Sequence, residues 1–216
     1  MEYNSFEEIK KPKLITEDIL RIAKKVGIAF LILTILFSII GAYFYTTQRE
    51  IIDEAVASAM ENFSGFITED GGISTVGLII NNIRVCFMAV ALGVIPFLKL
   101  SALLIPINAA IISVIMVAIA GTNITHHIAM FVLGILPHGI FELPSIFLAI
   151  GSGIWLSTVL SRKILRKDPE LNLGTEVINV LKVLFLVCIP LMVVAGIIET
   201  TITPALITRF FLSLGV

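Results

Sequence analysis

The chain has 216 residues, 57% of them apolar and 14% charged, with a net charge of −1 and a mean hydropathy of +1.04. A soluble domain carries about 25% charged residues, so this composition excludes an ordinary soluble domain, and the balanced charge offers no basic surface for nucleic acid. Residues 100–141 contain no Asp, Glu, Lys or Arg, a run about twice the roughly 20 residues that one membrane span needs.

Residues 1–25 interleave Lys10, Lys11, Lys13, Arg21, Lys24 and Lys25 with Ile15, Ile19, Leu20 and Ile22, the pattern of an amphipathic segment at the membrane interface. Its polar start is unlike a cleavable signal. The first span is predicted over 26–46. Residues 48–70 set Glu50, Asp53, Glu54, Glu61, Glu69 and Asp70 against one Arg49, with Ile52, Val56, Ala59, Phe63 and Phe66 at helical spacing. That spacing predicts a helix lying on the membrane surface, closed by Gly71 and Gly72. Spans over 74–98 and 100–120 follow, the second ending in the turn Gly121-Thr-Asn-Ile-Thr-His-His127. Residues 128–141 are apolar but too short to cross, and Pro137 interrupts them. A re-entrant hairpin over 124–137 followed by a span over 139–161 fits that length. The last span is predicted over 177–199. The tail at 204–216 is apolar but too short to cross by itself.

Cytoplasmic loops are enriched in Lys and Arg. The basic N-terminal segment, Lys99 and the loop carrying Arg162, Lys163, Arg166 and Lys167 are therefore expected inside, with the acidic 48–70 helix outside. A second full crossing within 124–161 would put that basic loop outside. A dip-and-return keeps it inside, and such a hairpin has to be covered by protein or face water, because lipid cannot satisfy its backbone. The expected fold is an all-α, polytopic membrane helix bundle with about five transmembrane helices, a broken or re-entrant helix near 124–144, and amphipathic interfacial helices. Residues 26–203 form its single transmembrane domain. The small-residue pairs Ala89/Gly93 and Ala149/Gly153 permit close helix contact and leave a homodimer open.

Ionisable groups inside spans need a partner or a water path. Asn81, Asn82 and Arg84 fall in the middle of the second span, and Asn108 lies in the third, just after Pro106. His138 and Glu142 are one helical turn apart and share a face. Pro137 suits a helix start, Gly139 allows close backbone approach, and Pro144 marks a second break. Glu199 closes the last span. The economical arrangement pairs Arg84, which cannot lose its charge, with Glu142, Glu199 or both. Such a cluster either fixes helix register as a buried polar network or lines a cavity for an ion, a proton or a small polar ligand.

No catalytic pattern is present. His138 and Glu142 supply two ligands, too few for a closed zinc site, and the zinc-protease pattern H-E-x-x-H is missing. Gly151-Ser-Gly153 has no following His to make a serine protease, and no Asp lies within a span. His126 and His127 read as a solvated turn. Cys86 and Cys188 sit singly in apolar runs and read as lipid-facing or packing residues. No cofactor, metal or nucleic-acid partner is expected.

The segments Ile80-Asn-Asn-Ile-Arg84, Asn108, Leu136-Pro-His-Gly-Ile-Phe-Glu-Leu-Pro144 and Ile198-Glu199 before Thr203-Pro204 together resemble the stage II sporulation protein M family. The Pro-His-Gly…Glu-Leu-Pro run is the most specific of them. Where that family often has Gly after the Asn of the third span, this chain has Ala109. The resemblance implies a multi-pass protein of the cell membrane. Sporulating members of the family take part in engulfment as membrane anchors for peptidoglycan-degrading partners, and other members occur where no spores form. The expected function is a non-enzymatic scaffold for partners in membrane or envelope remodelling. The alternative is a transporter or channel for a small solute or ion.

Overall fold

The structure is a computed structural model, which describes residues 15–64, 74–121, 123–168 and 170–213. Residues 1–14 of the expected amphipathic segment, residues 65–70 of the surface helix with Gly71 and Gly72, Thr122 and residues 214–216 lie outside the described residues. Among those described, every regular element is helical, and five helices are long and apolar enough to cross a membrane.

The first helix, α1 (Glu17–Thr47), starts at Thr16, whose hydroxyl accepts from the Ile19 amide. It runs without interruption through the part expected to be interfacial and on through the first span. No proline divides the two, so one helix serves both. Ile28, Leu31, Ile32, Ile35 and Ile39 are exposed along it and make a face suited to lipid. The surface helix α2 (Arg49–Ser64) follows after Gln48. It is anchored by buried Ile52 and shows Glu50, Asp53 and Glu54 to the exterior. The second span is α3 (Thr75–Leu92), capped by Ser74. The third is α4 (Leu104–Ala120), entered through a 3₁₀ turn at Leu100–Leu103.

The connection at 93–99 needs two left-handed residues, Phe97 and Lys99, a conformation that costs a non-glycine residue roughly 1 kcal/mol or more. Three hydrogen bonds to the facing helix hold it. Ser157 Oγ donates to the Ile95 carbonyl at 2.8 Å, the Phe97 amide donates to Ser161 Oγ at 2.7 Å, and the Lys99 amide donates to Ser157 Oγ at 3.4 Å.

Helix α5 (Ile124–Ala129) is capped by Asn123 and passes through a π-helical turn at Met130–Ile135 into α6 (Leu136–Ile164). The chain is helical throughout Ile124–Ile164, so the hairpin expected over 124–137 is replaced by one long helix with a widened turn. The last span does the same. Helix α7 (Leu173–Val183) passes through a π turn at Leu184–Cys188 into α8 (Ile189–Ser213), which absorbs the segment expected to be a separate tail beyond 203. Each π turn ends two residues before a proline, Pro137 or Pro190. Proline brings no amide hydrogen and its ring crowds the carbonyl four residues earlier. A turn widened to an i→i+5 pattern accommodates both effects without breaking the helix, which is why proline did not reverse the chain. Pro144 and Pro204 lie inside α6 and α8 with no π turn just before them.

The 41-residue helical stretch is about 60 Å long, roughly twice a bilayer's apolar thickness. The part after Glu142 suffices for one crossing.

Helix α6 is the centre of the bundle. Within its apolar window 67% of residues are buried, against 11–33% in the other four. Small residues make that possible. A Cβ on Gly151 would stand 3.1 Å from the Ala23 amide nitrogen of α1, and one on Gly153 would run into the Ala89 carbonyl of α3 and Ser101 Oγ. Gly93 in turn lies against the Gly153 backbone. The two small-residue pairs noticed in the sequence are thus consumed inside the chain. Cys86 and Cys188 are both buried and flank Ser145, which is 3.6 Å from Cys86 Sγ and donates to the Cys188 carbonyl at 3.0 Å. They are packing residues and do not face lipid.

Candidate functional site

Two levels of contact fix how α3, α6 and α8 align. At one end Thr75 Oγ1 lies 2.9 Å from Thr200 Oγ1. Further along, Cys86, Ser145 and Cys188 meet in the core. From Thr75 to Cys86 is eleven residues and from Cys188 to Thr200 is twelve, so α3 and α8 run antiparallel in register. Thr75 begins α3 just after the acidic segment, so Glu199, next to Thr200, lies at the acidic-loop end of the bundle.

There α8 brings Glu199 to His138 and Glu142. Their ligand atoms all lie within 4.8 Å of one another, and His138 Nε2 is 3.8 Å from Glu142 Oε2. The shared face follows from the one-turn spacing on α6, and Pro137 in the first turn of that helix leaves the spacing intact. His138 and Glu142 side chains are 13% and 20% exposed. The imidazole's other nitrogen, Nδ1, is 3.4 Å from Thr203 Oγ1. Glu199 Oε2 is buried without a hydrogen-bond partner. Thr203 was not singled out from sequence as a site residue, although it stands one turn after Glu199, the same signal that joined His138 to Glu142.

The remaining predicted site residues are placed elsewhere. Arg84 is exposed on α3 and is in no ion pair among the described residues, so it does not compensate Glu142 or Glu199 as expected. Residues four apart on a helix share a face, and Arg84 shares its own with Ile80 and Met88, which are exposed. The buried face carries Leu78, Asn82, Cys86 and Ala89. Asn81 is half-buried, and Asn82 is buried with its side-chain nitrogen unpartnered. Asn108 donates to the Leu104 carbonyl of its own helix at 2.7 Å, which satisfies it locally and takes it out of the cluster. Gly139 is not at a close backbone approach: a Cβ there would meet only Ile135 and Leu143 side chains, at 3.5 Å and 3.7 Å. Pro144 interrupts the hydrogen bonding of α6 one turn beyond Ile140 but does not break the helix.

The family model for stage II sporulation protein M matches residues 29–204, which includes His138, Glu142, Glu199 and Thr203. The chain belongs to the stage II sporulation protein M family. It is also similar to an uncharacterized protein of Methanocaldococcus jannaschii, at 25% identity over 91% of this chain and 86% of that protein. No solved structure matches it. Family membership together with five apolar helices makes this a multi-pass membrane protein, all-α as the sequence implied.

Proposed function

We propose that this stage II sporulation protein M-like chain is a non-enzymatic membrane scaffold, and that it docks a partner's transmembrane helix on the outer face of α3. The observation behind this reading is Arg84. It lies nine residues into an 18-residue span, about 14 Å from the start of the helix, and is exposed there with no ion-pair partner among the described residues. A guanidinium facing lipid at that depth is costly, and such residues pair with something. A second helix carrying a carboxylate at matching depth meets that need, and the exposed Ile80 and Met88 beside Arg84 supply apolar contact.

Affinity purification from native membranes tests it. Arg84→Ala is expected to leave the melting temperature of the isolated chain unchanged and to reduce recovery of a stoichiometric partner at least tenfold. Partner recovery equal to wild type, or a destabilised isolated chain, would overturn the docking role. The buried Glu199 Oε2, which has no hydrogen-bond partner among the described residues, favours transport of a cation as the second reading, and flux through liposomes holding the purified chain alone would establish it.

The scaffold reading places the N-terminus and the 162–167 loop in the cytoplasm and α2 outside. Cys86 and Cys188 are buried, so background labelling is low. A membrane-impermeant maleimide on intact cells is expected to label Glu54→Cys and to spare Lys167→Cys; the reverse pattern inverts the topology.

A further inference from the structure

The cluster at the α6–α8 junction poses an electrostatic problem that no Lys or Arg among the described residues relieves. Two carboxylates and an imidazole converge within 4.8 Å. Among the described residues no Lys or Arg forms an ion pair with Glu142 or Glu199, and one oxygen of Glu199 is buried and unbonded. In the tautomer that donates its Nδ1 hydrogen to Thr203 Oγ1, 3.4 Å away, the Nε2 lone pair faces the Glu142 oxygen at 3.8 Å. Two lone pairs facing each other repel unless a positive centre lies between them.

We propose that His138, Glu142 and Glu199 bind one divalent cation of the zinc type. One imidazole and two carboxylates are ligands that zinc accepts, and two carboxylates neutralise a doubly charged ion, which suits a site in an apolar bundle. Ligands about 2.0 Å from a tetrahedral zinc lie roughly 3.3 Å apart. The 3.8 Å contact is near that value, and rotation of the Glu199 side chain closes the rest. Thr203 takes the outer position, holding the imidazole by its far nitrogen as such partners do for metal-bound histidines. Three protein ligands leave the fourth position to water. The ion ties α6 to α8 at the acidic-loop end, and the site stands whether or not α3 docks a partner.

The test uses the purified full chain in detergent, stripped with chelator, reloaded with Zn²⁺ and desalted. Zinc per chain is measured by mass spectrometry, and melting is followed with and without the ion. About one zinc per wild-type chain and a higher melting temperature with Zn²⁺ are expected. Glu199→Gln and Glu142→Gln should lose both effects, while His126→Ala, on helix α5 and outside the cluster, should keep them. Wild type without zinc, zinc kept by Glu199→Gln, or zinc lost by His126→Ala overturns the site. If the Gln variants do not fold, Co²⁺ titration of the wild type decides instead. Visible d–d bands that saturate at one equivalent and are displaced by Zn²⁺ support the site, and a silent spectrum overturns it.

Discussion

Gly153→Ala is expected to destabilise the protein by about 3 kcal/mol or more, at the upper end of over-packing effects. The added methyl would run into the Ala89 carbonyl and Ser101 Oγ. Those two atoms already hydrogen-bond to each other at 2.6 Å, so the substitution would also displace a buried donor from its acceptor. Neither neighbour retreats easily, because the carbonyl belongs to α3 and Ser101 to the turn that enters α4. Gly93→Ala should behave alike, since its methyl meets the Gly153 backbone. Gly139→Ala is the contrast. Its methyl has ordinary room, and alanine is favoured over glycine in a helix by up to about 1 kcal/mol, so that variant should melt at or above the wild type. Thermal challenge followed by size-exclusion of the surviving protein ranks the three. A Gly153→Ala chain as stable as wild type would mean that α3 and α6 stand further apart.

The spans were legible because their composition declares them. Apolar runs of about 20 residues with at most one or two charges suit a membrane span, and the Lys and Arg clusters mark where they stop. The His138 to Glu142 pair was legible because one-turn spacing puts both side chains on one face whatever α6 packs against. What proline does inside a long helix was harder to read. Pro137 looks like a break, yet a π turn just before it carries the helix through, and Pro190 repeats the arrangement. That choice depends on the neighbouring helices that hold the widened turn, which the local sequence does not record. The Arg84 pairing failed for a related reason. Charge balance said that a cation should meet Glu142 or Glu199, but the face of α3 turned to the core was set by Leu78, Asn82, Cys86 and Ala89, and Arg84 lies on the other. Gly93 and Gly153 were visible as small residues. That they meet each other follows only from the register of α3 against α6.

Trp155→Ala is expected to cost about 3–5 kcal/mol, as truncating a buried large aromatic does. The indole is 8% exposed and joins the two longest spans where both approach the basic loop. Its N–H donates to Glu176 Oε2 at 2.8 Å, which fastens α7 to α6, and the Arg162 guanidinium lies 5.8 Å from the ring centroid. Tryptophan favours the boundary between apolar core and water, and here the ring body is buried while its polar edge reaches a charged group. Trp155→Phe separates the two contributions. It keeps most of the apolar contact and removes the charge-assisted hydrogen bond, so about 1.5–3 kcal/mol should be lost. Glu176→Gln keeps an acceptor and should lose less than Trp155→Phe. If Trp155→Phe melts with the wild type, partial exposure of Glu176 has already screened that bond, and packing alone holds the base of the fifth span. If it costs as much as Trp155→Ala, the hydrogen bond to Glu176 sets where α7 begins, and through the register of that helix, how far up the bundle α8 delivers Glu199.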